Sequence, residues 1–294
     1  MAPKEIRGRL GSCLQWMYTW GIFTSYWVNY AVASSLPSTA MQWQIPIGLQ
    51  MTPAGLLGLA LLMQKDSMRW LAKKGRYEEA WESIKWIRAD DSEEVKLEYD
   101  EILRGLQDEM QATEGLKKRE LLDPANRLRL LIAFLVCLFQ QSTGAAALAY
   151  FAPQFFKLLV GDGNKELLIT ALFGVVKVVA CGLFVVFVSE QVGRKPVFVA
   201  GGLAMSTCML ITAILLKFYP PEGAGGPSPA SIATIGLIFL SIAFYNFSWG
   251  PFAYTYIGEI FPSRIREIGV SVGMGSQWLF ICSVRYKGNP LSLN

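Results

Sequence analysis

The sequence predicts an all-α, polytopic transmembrane helical bundle with a helical insert. Three observations predict it: an excess of apolar residues, six apolar runs of membrane-spanning length, and basic residues gathered in alternate loops. Of the 294 residues, 52% are hydrophobic, 13% aromatic and only 17% charged. That balance is richer in apolar side chains than an average globular chain. A spanning helix needs about 20 mostly apolar residues, because the hydrocarbon core is about 30 Å thick and each residue rises about 1.5 Å.

The runs that meet this length are Ser12 to Ala33, Trp43 to Met63, Leu130 to Phe151, Leu167 to Val188, Val197 to Lys217 and Ile232 to Ile257. One such run is also what the buried core helix of a soluble bundle looks like; six in one chain favour lipid as the solvent. A seventh, Ile268 to Val284, is about 17 residues long, at the lower limit for crossing. It is read as an incomplete span. The chain opens on the polar segment Met1 to Leu10 with no short apolar region and small-residue cleavage site after it, so no cleaved leader is expected.

Charge orients the spans. Lys4, Arg7 and Arg9 precede the first run; Lys65, Arg69, Lys73, Lys74 and Arg76 follow the second; Lys117, Lys118, Arg119, Arg127 and Arg129 precede the third. Arg194 and Lys195 separate the fourth and fifth, and Arg264 and Arg266 follow the sixth. With alternating crossings all of these lie on one face, which the positive-inside rule makes cytoplasmic. The stretch 64–129 is charged and helix-patterned, with Trp81, Ile84, Trp86 and Ile87 set among Glu and Lys, and reads as amphipathic helices on that face. The organisation predicted is therefore 1–63 as one membrane part, 64–129 as a cytoplasmic linker and 130–294 as a second membrane part.

Polar side chains inside apolar runs are costly in lipid, by a few kcal/mol on insertion scales, so they face the bundle interior and mark candidate solute paths. Gln15, Asn29, Gln140, Gln141, Lys177, Asn246 and Glu259 are of this kind. Gln140 and Gln141 project about 100° apart and both meet a polyhydroxylated ligand only from a cavity-facing sector; interhelical hydrogen bonding is their alternative role. Lys177 either attracts an anion or extends to the interface. Pro153, Pro251 and the glycines at 174, 182, 201 and 202 suggest broken or closely packed helices.

Other chemistries find no support. The chain has no histidine, no nucleophile elbow, no phosphate loop and no metal-ligand spacing, and its five cysteines sit singly in apolar runs. No catalytic residue, metal or cofactor is expected. The net charge of +4 is spread over helix ends rather than gathered in a patch, which argues against a nucleic-acid partner.

Four segments carry a resemblance. Pro3-Lys-Glu-Ile-Arg-Gly-Arg9 is followed by Gln15; Gln140-Gln-Ser-Thr-Gly144 carries the paired amides; Glu190-Gln-Val-Gly-Arg-Lys195 joins two runs; and Trp249-Gly-Pro251 is followed by Glu259-Ile-Phe-Pro-Ser-Arg-Ile-Arg266. In this order and spacing they resemble the sugar-porter family of the major facilitator superfamily, particularly its fungal hexose and quinate-permease-like members. The resemblance covers nearly the whole chain. It implies that Gln15, Gln140, Gln141, Asn246, Trp249 and Tyr254 line a substrate site, Tyr254 standing where the family has a tryptophan. It also implies that the chain begins just before the family's fifth helix and stops inside its eleventh. There are departures: Lys65-Asp-Ser-Met-Arg-Trp-Leu71 lacks two family prolines, and Ala146 and Ile281 stand where asparagines are usual.

The function expected is transport of a hexose, polyol or quinate-like solute by alternating access, as uniport or proton symport, in the plasma membrane. The partners expected are thus a small solute, a proton in the symport case, and the lipid bilayer. Arg7, Arg69, Arg194 and Arg266 with Asp66, Glu190 and Glu259 would form a cytoplasmic ionic latch that biases a two-state equilibrium only a few kcal/mol wide. The alternative is a truncated, non-transporting or sensor-like family member.

Overall fold

Twelve α-helices account for the regular structure of the long described segments: α1 (Arg7–Ser35), α2 (Met41–Leu62), α3 (Met68–Lys73), α4 (Tyr77–Arg88), α5 (Glu93–Thr113), α6 (Pro124–Ser142), α7 (Ala145–Val160), α8 (Lys165–Phe187), α9 (Arg194–Phe218), α10 (Pro229–Phe247), α11 (Trp249–Ile260) and α12 (Arg266–Lys287). The computed structural model describes residues 7–113, 120–121, 123–161, 164–189, 191–220, 228–262 and 264–287, without the side chains of 7–10, 112 and 284–287. The chain divides into two units. The first holds residues 1–46, 128–260 and 268–294; the second holds 47–127 and 261–267.

Five stretches are long and apolar enough to cross a membrane: Met41–Leu62, Pro124–Val160, Lys165–Phe187, Arg194–Phe218 and Pro229–Ile260. These match five of the six predicted runs. The sixth, within α1, qualifies by its 29 residues but not by hydropathy, because its tryptophans and tyrosines carry polar atoms. Two predicted single spans prove to be broken. The run from Leu130 is interrupted at Gly144, whose φ of +79° lies in the left-handed region that favours glycine, and the run from Ile232 is interrupted at Ser248. Neither break falls on a proline. Pro251 sits in the first turn of α11, where its missing N–H would have had no helical partner, and Pro153 lies inside α7. The seventh run is also longer than expected: α12 is helical over 22 residues.

In the first unit α8 is the central helix, packed against α1, α7 and α10, while α9 packs against α10 and α11. Glycine sets the α1–α8 approach. A Cβ on Gly174 would stand 3.2 Å from the Tyr26 ring and 3.3 Å from the Phe23 Cα, and one on Gly182 would stand 3.1 Å from the Trp16 Nε1. These glycines are two turns apart on one face, and between them the Val178 carbonyl accepts a hydrogen bond from Trp16 Nε1 at 3.2 Å. Outward from this seam α1 carries an aromatic ladder: Trp16, Trp20, Phe23, Trp27 and Tyr30 follow one another with ring centroids 5.4–6.5 Å apart. Their spacing of three and four residues is what brings helical side chains together.

The core of this unit is aromatic. Phe156 of α7, Phe173 of α8 and Ile238 and Ile242 of α10 are buried together, with Tyr26, Phe239 and Tyr245 around them. The Phe156 ring meets Phe173 and Phe239 edge-on at 6.1 and 6.0 Å, a favoured geometry for aromatic pairs. A second cluster joins Phe184, Val185, Val188 and Phe252.

In the second unit α3, α4 and α5 bury Met68, Leu71, Ala72, Ala80, Ile84, Val95 and Leu106 against each other. Gly75 (φ +77°) and Ala89 (φ 52°) turn the chain between these helices. The predicted amphipathic face divides: Ile84 is buried and Trp81 packs edge-on against Tyr99 at 5.2 Å, while Trp86 and Ile87 are exposed. At about 100° per residue, position 86 falls off the face of 80 and 84, whereas Ile87, seven residues after Ala80, is in register with it and is exposed in the last turn of α4. Arg88 donates to both Glu98 oxygens at 3.0 and 2.5 Å and holds the Glu98 carboxyl below its ordinary range.

Candidate functional site

The broken helices bring backbone and amides together. α10 stops at Phe247 and α11 starts at Trp249, so the Trp249 carbonyl lies at the junction of the two helices. Gln140, 1% exposed on α6, donates to it from Nε2 at 3.1 Å. The Gln140 Oε1 is buried without a partner. Tyr245 stands beside Gln140, and its ring and carbonyl lie against Gly250. Gln15 reaches the same place from α1, its Nε2 3.7 Å from where a Cβ on Gly250 would be. Asn246 is fully buried, donates from Nδ2 to the Ile242 carbonyl at 2.8 Å, and leaves its Oδ1 unpartnered.

Two expected residues are placed differently in detail. Gln141 is buried at 6% exposure, one position beyond Gln140 on α6. The Trp249 side chain turns to α9, where its Nε1 donates to the Phe198 carbonyl at 3.0 Å and its ring meets Phe198 at 4.8 Å; only its carbonyl joins the amides. Tyr254, one turn further along α11, accepts from Gln277 Nε2 at 2.7 Å through its hydroxyl. Gln277 on α12 is buried and its Oε1 is also unpartnered. Sequence reading passed over Gln277, although an amide inside the run Ile268 to Val284 is the same signal that marked Gln140. The neighbouring hydroxyls of Tyr18, Tyr150 and Tyr254 were passed over as a group as well.

The site therefore consists of amide and phenol groups in an apolar bundle, with three buried amide oxygens still open to a donor. An unmade hydrogen bond of this kind costs about 1–3 kcal/mol, and a hydroxyl that reaches it recovers that cost. The arrangement suits a ligand rich in hydroxyl donors. Among the described residues there is no cluster of three or more metal-ligating side chains.

Of the expected latch residues, Arg194 and Glu259 meet: Arg194 Nε and Nη2 donate to the two Glu259 oxygens at 3.1 and 2.5 Å, and the guanidinium lies 5.3 Å over the Phe252 ring. Arg69 is engaged inside the insert, donating to Glu109 at 2.8 Å, and the Asp66 carbonyl accepts from Ser83 at 2.8 Å. Arg266 is exposed at the start of α12. Glu190 and the Arg7 side chain lie outside the described residues. A pair that was not anticipated joins Arg264 to Glu120, at 2.8 and 3.0 Å, within the second unit. A double-mutant cycle with Arg194→Gln and Glu259→Gln, read by thermal unfolding in detergent, is expected to give a coupling near the top of the 0–1 kcal/mol range for partly exposed pairs, since the contact is bidentate and stacked. A coupling of zero would mean that water screens it completely.

The family model described as "Sugar (and other) transporter" matches residues 1–286. The chain belongs to this family. Among curated proteins, this sugar-transporter chain is 30% identical over 294 residues to a probable quinate permease of Aspergillus niger, a match covering 95% of the chain and 54% of that protein. It is likewise 30% identical to a quinate permease of Emericella nidulans over 295 residues, again 95% of the chain and 54% of the relative. The chain thus spans about half the length of the curated relatives it matches. In fold it is similar to the xylose transporter XylE from E. coli in a partially occluded inward-open conformation, with a TM-score of 0.74 at 24% identity, covering 98% of this chain and 57% of that one. A D-xylose-proton symporter structure matches with a TM-score of 0.68 at 24% identity, covering 98% and 56%. The fold is a partial major facilitator bundle.

Proposed function

We propose that this chain is part of a membrane carrier for a sugar or a related polyhydroxylated solute, such as a hexose, a polyol or a quinate-like ring. The carrying observation is the set of buried amide oxygens of Gln140, Asn246 and Gln277 left without donors. Solute hydroxyls supply what these oxygens lack. Gln15, Gln140, Gln141, Asn246, Trp249 and Tyr254 are the proposed substrate residues, joined here by Gln277 and Tyr245. Binding by hydrogen bonds and aromatic contact needs no covalent chemistry, so the reading is of a carrier and not of an enzyme, acting by alternating access as uniport or proton symport. The names of the quinate permeases support this solute class, and the basic loops support a plasma-membrane orientation with 64–129 cytoplasmic. Arg7, Asp66, Arg69, Glu190, Arg194, Glu259 and Arg266 are proposed for the cytoplasmic latch.

The test uses the purified chain in detergent and in liposomes, with tritiated quinate and tritiated D-xylose. At least one solute is expected to bind, and Gln140→Ala is expected to raise its Kd tenfold, about 1.4 kcal/mol. Unchanged binding in Gln140→Ala would refute the site. Binding without liposome flux would favour the sensor-like, non-transporting reading.

A further inference from the structure

A buried cation remains that the amide site does not use. Lys177 lies in the middle of α8 and is 6% exposed. Its Nζ stands 5.8 Å from the Phe173 ring centroid. A ring quadrupole attracts an ammonium but does not neutralise its charge. Among the described residues of the first unit the acids are Glu166 and Glu259. Glu259 is held by Arg194, and Glu166 lies eleven residues back along α8, roughly 16 Å by helical rise. An ammonium sealed in an apolar bundle without a counter-charge is costly, and such groups in membrane helices mark solute paths.

The position of Lys177 relates it to the amides. Phe173, one turn before it, packs in one cluster with Ile242 and Tyr245 of α10. Tyr245 stands beside Gln140, and Asn246 follows Ile242 by one turn, with its Oδ1 open. The Phe173 ring under Lys177 thus belongs to the cluster that Tyr245, the neighbour of Gln140, also packs against. We propose that Lys177 is the specificity determinant for a carboxylate on the solute, so that the site takes a hydroxylated ring acid in preference to a neutral polyol. The amides bind the hydroxyls, and Lys177 meets the acid group as its missing counter-charge. This assignment rests on the carrier reading above.

The experiment compares quinate with its methyl ester, which keeps the ring and hydroxyls but has no charge, by calorimetric titration of the purified chain in detergent at pH 7. The wild type is expected to bind quinate at least tenfold more tightly than the ester. Lys177→Gln is expected to bring the two affinities together by weakening quinate alone, while Lys177→Arg keeps the preference. A wild type without preference, or a Lys177→Gln variant that retains it, overturns the assignment and leaves the carrier reading intact. Loss of ester binding in a Lys177→Gln variant with wild-type far-ultraviolet circular dichroism would show a structural lysine and also overturns it. If the wild type binds neither compound but binds D-xylose, this assignment falls and the carrier reading stands; if it binds none of the three, both fail.

Discussion

Replacing Gly201 by valine is expected to destabilise the first unit by about 3 kcal/mol or more, the upper end for overpacking a close contact. Even the Cβ of an alanine would stand 2.1 Å from Ser248 Oγ and 2.5 Å from Ser248 Cβ. Rotating the serine does not relieve this, because its Cβ is fixed to the backbone at the break between α10 and α11. Its hydroxyl also donates to the Phe244 carbonyl at 2.6 Å. α9 must therefore move away from the junction where Trp249 binds the Phe198 carbonyl. The sign of the effect is informative. On helix propensity alone, Gly201→Ala would stabilise by up to about 1 kcal/mol, so destabilisation by the alanine reports the contact itself. Thermal unfolding in detergent reads it, and adding Ser248→Gly to Gly201→Ala is expected to recover most of the loss. A Gly201→Val variant that melts with the wild type would refute the close approach.

The second large effect concerns a proline. Pro153 has no N–H, so the carbonyl four residues earlier, that of Ala149, lacks its helical donor. The Tyr26 hydroxyl of α1 donates to that carbonyl at 2.9 Å. Tyr26→Phe keeps the ring and leaves the carbonyl unpaired in an apolar setting, at a cost of about 1–3 kcal/mol. Pro153→Ala restores the backbone donor, so Tyr26→Phe in that background is expected to cost much less. The double-mutant cycle by thermal unfolding decides: additive effects would mean that the hydroxyl does not act through the carbonyl that Pro153 leaves unpaired. The hydrogen bond also pins α7 to α1 just after the break at Gly144.

What was legible in the sequence follows from what is local. The spans could be read because a run such as Leu167 to Val188 is apolar in itself, and the family could be read because Gln140-Gln-Ser-Thr-Gly144 and Glu190-Gln-Val-Gly-Arg-Lys195 are contiguous. The breaks were less legible. Hydropathy continues across Ser248, and it takes coordinates to show that Gly144 rather than Pro153 ends a helix. Trp249 was singled out from the sequence, but which of its groups meets the amides depends on where α9 packs. Gln277 was lost with the run that contained it, which was set aside on its length. In the insert, Trp86 belongs to the exposed side of α4 because Ala80 and Ile84 take the buried one, a choice made by α3 and α5, while Ile87, in register with them, is exposed in the last turn of the helix.

The aromatic ladder of α1 has an optical consequence. Trp16 and Trp20 have ring centroids 6.5 Å apart with planes inclined at 58°. Transition dipoles that close and that tilted couple, so their ultraviolet absorption is shared rather than individual, and the handedness of the tilt imprints a bisignate feature on the circular dichroism. Trp27, with Phe23 between it and Trp20, extends the row along which excitation migrates before it is emitted. The helix that carries Gln15 therefore has a built-in chromophore array, and its spectrum records any change in the tilt of those rings without an added label.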